Sequence, residues 1–353
     1  MNRKMKGNLM LLLTALIWGT AFVAQSTGMD HVGPFTYNGI RNLIAAIVLI
    51  PVIMFFDRMK SEGVLTSPED PVSPSGSDDA NAGRRISSPT GQASGKGASA
   101  SAAPRSDAAA INRRSYRDGI ICGIFLFIAS SFQQYGISMT TAGKAGFVTA
   151  LYIVIVPVLG IFLHKMVSPV IWISVAIAVT GFYLLCIKEG FTIGTGDLLV
   201  LCCAFFFSFH ILVIDHFNEG NVDGVRMSQA QFLTVAVLSI LPMLLTEMPN
   251  ASWRAFIAAI WSARWSILYT AVMSSGVAYT LQILAQRYTE PTTATLLMSL
   301  ESVFAALSGW LILHERLSLK EFIGCALVFA AVILAQLPES LFHKGSPITK
   351  AGI

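Results

Sequence analysis

A chain of 353 residues that is 54% hydrophobic and only 12% charged, with a mean hydropathy of +0.64, has too much apolar side chain for a soluble fold and marks an integral membrane protein. The net charge of +4 comes without a basic aromatic surface, which excludes nucleic acid as a partner and leaves the lipid bilayer and a small molecule. The cysteines Cys122, Cys186, Cys202, Cys203 and Cys325 lie in apolar runs without CxxC or Cys/His spacing, so neither a metal site nor a disulfide is expected.

The basic start MNRKMKGN precedes an apolar run from Leu9 to Ala24. It lacks a small-x-small cleavage site and many spans follow, so it reads as an uncleaved first helix. The second run, Phe35 to Phe56, ends at Asp57 and carries Asn38, Arg41 and Asn42, residues unsuited to face lipid. From Arg58 to Asp118 Ser, Pro, Gly, Ala and Asp dominate. Such a composition cannot bury enough apolar area to offset its ordering entropy, and a disordered cytoplasmic insert is predicted.

Eight more apolar runs follow: Gly119 to Met139, Lys144 to Leu163, Pro169 to Ile187, Asp197 to Asp215, Ala230 to Leu245, Trp265 to Leu284, Pro291 to Leu313 and Lys320 to Leu337. Each is near the roughly 20 residues that cross a bilayer, which makes ten spans with the first two. Placing both termini in the cytoplasm leaves only Lys188, Arg254, Arg264, Arg316 and Lys320 outside, out of 24 Lys and Arg. The positive-inside bias therefore supports that orientation.

The chain also repeats itself. His164 to Ser168 (HKMVS) superposes on His314 to Ser318 (HERLS) at an offset of 150 residues, and Gly7-Asn8-Leu9 lies over Gly196-Asp197-Leu198 at an offset of 189. Five helices per half is an odd number, so the second half enters from the opposite side, as in alternating-access carriers. The expected fold is an all-α integral membrane protein with ten transmembrane helices in two inverted-topology five-helix repeats. Its divisions are residues 1–57, the first two helices; 58–118, the insert; 119–190, the rest of repeat 1; 191–338, repeat 2; and 339–353, a cytoplasmic tail.

Polar groups inside these spans are the candidate site. Glu301 sits near the middle of the ninth run, where a carboxylate costs about 2.5 to 3.5 kcal/mol on insertion scales unless it faces the bundle interior or a wet cavity. Carrying a proton, meeting a cationic group, and hydrogen-bonding between helices all suit it. Arg41 lies about 12 Å into its helix, placed either for an anionic substrate group or for an outward-reaching anchor. His210 shares a strip with Phe206 and Phe207 and suits core packing or a carbonyl bond more than a proton relay. Trp18, Gln133, Gln134, Tyr135, Tyr152, Tyr279 and Gln282 are amphipathic groups away from the helix ends, placed to line a cavity. Pro157 interrupts the fourth helix and frees a carbonyl. Glu315, beside Arg316 and Lys320, suits a surface ion pair.

Gly194-Thr195-Gly196-Asp197 matches the GxGD of intramembrane aspartyl proteases, but no span supplies the second aspartate, and helix capping suffices for Asp197. No metalloprotease, nucleophile-elbow, P-loop or dinucleotide motif occurs, so neither a catalytic residue nor a cofactor is expected.

The residues resemble the EamA-type members of the drug/metabolite transporter superfamily. The likeness is carried by Thr14-Ala-Leu-Ile-Trp18-Gly19-Thr20-Ala-Phe22, by Arg41 and the apolar run after it, and by the stretch from Ser275 to Leu334. There Leu300-Glu301-Ser302-Val303 is similar to the family's LEPV, with Ser302 in place of proline, and Leu313 to Ser318 is similar to its GERLS. The resemblance implies ten spans in a bacterial plasma membrane and secondary transport, most often export, of a small metabolite such as an amino acid, with protons or exchanged substrate as coupling partners. A membrane-embedded enzyme acting on a lipid or peptide is the rival reading.

Overall fold

The computed structural model describes residues 3–61, 103–140, 142–164, 167–186, 194–220, 222–248, 252–312 and 318–337. Among them every regular element is helical, in the order α1 (Arg3–Met29), α2 (Pro34–Ser61), α3 (Ala103–Ile137), α4 (Ala142–Ala150), α5 (Tyr152–Phe162), α6 (Pro169–Cys186), α7 (Thr195–Asn218), α8 (Gly224–Thr246), α9 (Trp253–Ser262), α10 (Arg264–Tyr269), a π-helical stretch (Thr270–Tyr279), α11 (Thr280–Ala285), α12 (Pro291–Met298), α13 (Glu301–Ile312) and α14 (Leu319–Gln336). Helices are what a lipid environment permits, because they satisfy their own backbone groups.

Seven described segments are long and apolar enough to cross a membrane: α1, α2, α3 from Ala108, α7, α8, the continuous Arg264–Ala285 segment and α14. The protein is thus a multi-pass membrane protein. Three of the expected spans are shorter or interrupted. The run Lys144 to Leu163 breaks at Leu151 between α4 and α5, and the run Pro291 to Leu313 breaks at Ser299–Leu300 between α12 and α13; α6 has only a short apolar core, Pro169–Leu184.

Both breaks are tightened turns. The amide of Leu151 donates to the carbonyl of Val148 at 3.2 Å and that of Leu300 to Leu297 at 3.3 Å, three residues back instead of four. The Ser299 hydroxyl also donates to the Leu296 carbonyl at 2.7 Å, tightening the second turn without a proline at 302. Glu301 is consequently the first residue of α13, not the middle of a continuous helix.

The predicted insert is helical at both margins, since α2 runs to Ser61 and α3 begins at Ala103. Ala108-Ala109-Ala110 are strong helix formers, and the Ser115 hydroxyl accepts from the Asp223 amide at 2.7 Å, docking this extension on the start of α8. Residues 62–102 and the tail 339–353 lie outside the described residues, as do Glu315, Arg316 and most of the HERLS motif.

Two apolar clusters make the core. One joins α1, α5, α6, α12, α13 and α14 through Leu11, Ile153, Phe182, Leu296, Met298 and Val328. The other joins α2, α3, α7, α8 and the π-helical stretch through Leu49, Leu126, Phe207, Phe232 and Tyr279. Trp18 packs against both. In lipid, close packing of small residues drives helix association, and several crossings depend on glycine, among them those at Gly19 and Gly181. A Cβ on Gly19 would stand 2.5 Å from that of Phe304 and 2.7 Å from the Glu301 carbonyl; one on Gly181 would stand 2.8 Å from the Gly324 carbonyl. Outside, Leu9, Met54, Leu241 and Phe322 are exposed, as lipid-facing positions should be.

Candidate functional site

A cavity lies between the two clusters. It is lined by Trp18, Phe22, Gln25, Arg41, Gln133, Thr149, Tyr152, Phe207, Ile211, Ser274, Tyr279, Gln282, Met298 and Glu301. It offers about 40 Å³ to the centres of water-sized molecules, room for roughly three waters.

One wall is made by the helix breaks. Tyr152, the first residue of α5, donates its hydroxyl to Glu301 Oε1 at 3.0 Å, joining the two interrupted segments where each is interrupted. Glu301 is 4% exposed and heads α13, where the positive end of the helix dipole favours a carboxylate. The Ser302 hydroxyl, next in the chain, donates to the Gly146 carbonyl of α4 at 3.4 Å.

The lining also includes Arg41. It is 3% exposed, so its guanidinium stays inside and does not reach the membrane surface as an anchor. Its Nη1 donates to Gln25 Oε1 at 3.0 Å, and Gln134 Nε2 donates to the same oxygen at 2.7 Å. The Tyr37 ring lies 5.7 Å from the guanidinium carbon, a cation–π contact. No ion pair joins Arg41 to Glu301 among the described residues. Of the cavity's lining atoms, Arg41 Nε, Gln282 Oε1 and Thr149 Oγ1 have no protein partner. Each such group costs about 1 to 3 kcal/mol when nothing satisfies it. A cavity furnished this way is suited to a guest with both donors and acceptors.

The third side is aromatic and π-helical. The Trp18 and Tyr279 rings lie with centroids 4.7 Å apart and planes inclined at 59°. The Trp18 indole donates to the Ser274 carbonyl at 3.3 Å and the Thr14 hydroxyl to the Ala278 carbonyl at 3.2 Å, both within the π-helical stretch. Wide turns of this kind recur at functional sites.

Seven of the ten residues singled out in the sequence thus line one cavity: Trp18, Arg41, Gln133, Tyr152, Tyr279, Gln282 and Glu301. Gln134 sits behind the lining, on Gln25. Tyr135 packs its ring 5.5 Å from that of Phe35, away from the cavity. His210 is fully buried, its ring packed against Phe207 and Tyr279 as core packing requires, and its Nε2 pairs with the Gln231 Oε1 at 3.1 Å, a side-chain partner and not a backbone carbonyl. Gln25 escaped the sequence reading, although the spacing Trp18, Phe22, Gln25 places it on one helix face. Thr149 and Ser274 gave no sequence signal.

Asp197 acts as a cap: its Oδ2 accepts from the Gly194 amide at 2.9 Å, and Oδ1 accepts from the Thr140 hydroxyl. Cys122, Cys202, Cys203 and Cys325 are free thiols, and no group of three or more His, Cys, Asp or Glu able to hold a metal occurs among the described residues.

Comparison with known proteins agrees with this architecture. The EamA-like transporter family matches residues 5–68 and 194–337. An uncharacterized transporter of Archaeoglobus fulgidus is 27% identical over 352 residues, covering 95% of this chain and 87% of the relative. The uncharacterized transporter YoaV of Bacillus subtilis is 20% identical, covering 92% and 94%. A crystal structure at 17% identity superposes with a TM-score of 0.65 over 94% of this chain and 96% of its own, a likeness of fold. With the family matched over both ends of the chain and the membrane-spanning helices in place, the chain belongs to the EamA-like transporter family.

Proposed function

We propose that this protein is a secondary active carrier, working as an exporter, for a small metabolite that bears both a cationic and an anionic group, an amino acid or a similar polar compound. The observation that carries the proposal is the meeting of two helix breaks, through Tyr152 and Glu301, at a cavity that Arg41 also lines. Interrupted helices at corresponding places in two halves mark carrier binding sites. The offset of 150 residues that relates His164 to His314 also carries Leu151, the first break, onto Glu301, beside the second.

A second pairing supports the same internal symmetry. Thr289 donates to Asn8 Oδ1 at 3.3 Å and Thr140 donates to Asp197, the residue that the 189-residue offset places over Asn8. On this reading α4/α5, α6 and α12/α13 add three crossings to the seven long ones, giving ten spans in two inverted repeats. The charge bias supports both termini in the cytoplasm of a bacterial plasma membrane.

Mechanistically, Arg41, held by Gln25, takes the anionic group of the substrate. Glu301, held by Tyr152, takes the cationic group or a proton, and Trp18 and Tyr279 enclose the remainder. Rocking of one repeat on the other opens the site to each side in turn. Counterflow in proteoliposomes tests this with amino acids against analogues lacking the amine or the carboxylate. Saturable counterflow that needs both groups is expected. Glu301→Gln should retain exchange while losing accumulation driven by a pH gradient, since the amide cannot ionise. Flux indifferent to either group would refute the two-point site, and turnover of the compound without a sealed vesicle would indicate an enzyme instead.

A further inference from the structure

Between α8 and the Arg264–Ala285 segment lies α9, a helix that the apolar-run reading passes over. None of its residues is buried. Trp253, Ile257, Trp261 and Trp265 recur every fourth residue, so they follow one strip of helix surface, and they are 65%, 47%, 68% and 69% exposed. On the other flank Ala259 and Ile260 pack on Val32, Tyr37, Ala263 and Ile267. That contact fixes α9 to the bundle and turns the tryptophan strip away from it.

Two cations accompany the strip, Arg254 in the first turn and Arg264 just past the last. The Arg264 guanidinium lies 4.8 Å from the Trp261 ring centroid and 5.7 Å from that of Trp265, and its Nη1 donates to the Trp261 carbonyl at 2.7 Å. No Asp or Glu occurs between Ala251 and Tyr269. The helix sits level with the ends of spanning segments: α8 closes just before it, and the next crossing starts just after. Three indoles in water would form an aggregating surface. The same indoles fit the boundary between acyl chains and headgroups, where an apolar body and a polar N–H are both accommodated.

We infer that α9 is an interfacial anchor that seats on anionic phospholipid headgroups, with the strip Trp253, Ile257, Trp261 and Trp265 below the phosphates and Arg254 and Arg264 paired with them. Helices of this kind lie in the membrane plane with the apolar face about 5 to 10 Å below the headgroup boundary. The anchor is connected to the cavity. The Tyr37 hydroxyl, whose ring packs in the α9 contact, bonds the Ser266 hydroxyl at 2.8 Å and that of Thr270 at 3.0 Å, and the same ring stacks on Arg41.

The test uses the full chain, with its native cysteines replaced, in vesicles of phosphatidylcholine with or without phosphatidylglycerol. Nitroxide labels at Ile257 and, separately, at Ala258 report depth through their relative exposure to oxygen and to a water-soluble nickel chelate. The Ile257 label should favour oxygen several-fold and the Ala258 label should favour nickel. Equal, water-like exposure at both would overturn the interfacial placement. Association of spin-labelled phosphatidylglycerol, relative to phosphatidylcholine, should fall several-fold at this site in R254Q/R264Q and persist in R254K/R264K. An unchanged preference in R254Q/R264Q would overturn the headgroup pairing, and the lysine variant separates lost charge from lost fold.

Discussion

The seam between α2 and α8 and the junction between α4/α5 and α12/α13 are both helix contacts in the same bundle, yet they are built on opposite principles. The seam is fastened at its two ends. At one, the Glu247 carboxylate accepts from the Phe35 amide at 2.7 Å, the Thr36 amide at 2.8 Å and the Thr36 hydroxyl at 2.6 Å, capping α2 from the end of α8. At the other, Arg226 bridges Asp57 of α2 at 2.6 Å and Asp223, the α8 N-cap, at 2.7 Å. The junction has no charged pair across it among the described residues: a tightened turn in each helix pair is joined by the Tyr152–Glu301 and Ser302–Gly146 hydrogen bonds, and the Thr149 hydroxyl of α4 has no protein partner. The seam is thus tied by charged groups at both ends, and the junction by hydrogen bonds from uncharged donors between two tightened turns.

The contrast can be broken most severely at Gly19, through which α1 lies on the start of α13. In Gly19→Val the new side chain meets the Glu301 carbonyl and the Ala305 amide, where a Cβ would already stand 2.7 and 2.8 Å away. Backbone cannot yield as a side-chain tip does, so a loss of about 3 kcal/mol or more is expected. Little folded protein should survive size-exclusion chromatography. A well-behaved variant would show that the α1–α13 crossing is looser than its geometry.

An intermediate effect is expected in the seam. Arg226→Met leaves Asp57 and Asp223 without their shared cation. Asp57 is 47% exposed, so water softens the loss, and about 1 to 2 kcal/mol is expected, well below a fully buried pair. Thermal unfolding in detergent should show a lower midpoint, restored in part by Asp57→Asn in the same chain. Unchanged stability would mean that the Glu247 end alone holds the seam.

The smallest effect sharpens the view of the junction. A Cβ on Gly146 meets only the Ser302 hydroxyl, at 3.8 Å. Gly146→Ala should therefore keep or raise stability by up to about 1 kcal/mol through helix propensity. Counterflow should slow, because stiffening α4 next to its break opposes the rearrangement. Unaltered flux at unaltered stability would place the moving part elsewhere.

Much of this was legible in the sequence because membrane segments announce themselves by length and hydropathy, and a polar residue within them has few places to go. That reasoning singled out Trp18, Arg41 and Glu301, which line one cavity, though it left an outward-reaching anchor open for Arg41 and a bond between helices open for Glu301. It could not foresee the break at Ser299–Leu300, which rests on serine bonding back to its own helix instead of on a proline. Nor could it separate Gln133, which lines the cavity, from its neighbour Gln134, which does not, because adjacent residues differ by about 100° around a helix of unknown rotation. Helix α9 was missed for the opposite reason: its shortness, with Arg254 inside it and Arg264 just past it, hides it from a search for spanning runs.

The π-helical stretch Thr270–Tyr279 has a bearing on how this protein tolerates change. A helix that closes its hydrogen bonds five residues apart holds spare contour compared with one that closes them at four. In α3 or α7 a one-residue deletion rotates every later side chain by about 100° relative to its neighbours. Within Thr270–Tyr279 the same deletion can be absorbed by winding the wide turns into ordinary ones, keeping Gln282 and the following helix in register. The stretch is thus a slack point in an otherwise taut span, and it lies against the cavity through Ser274 and Tyr279.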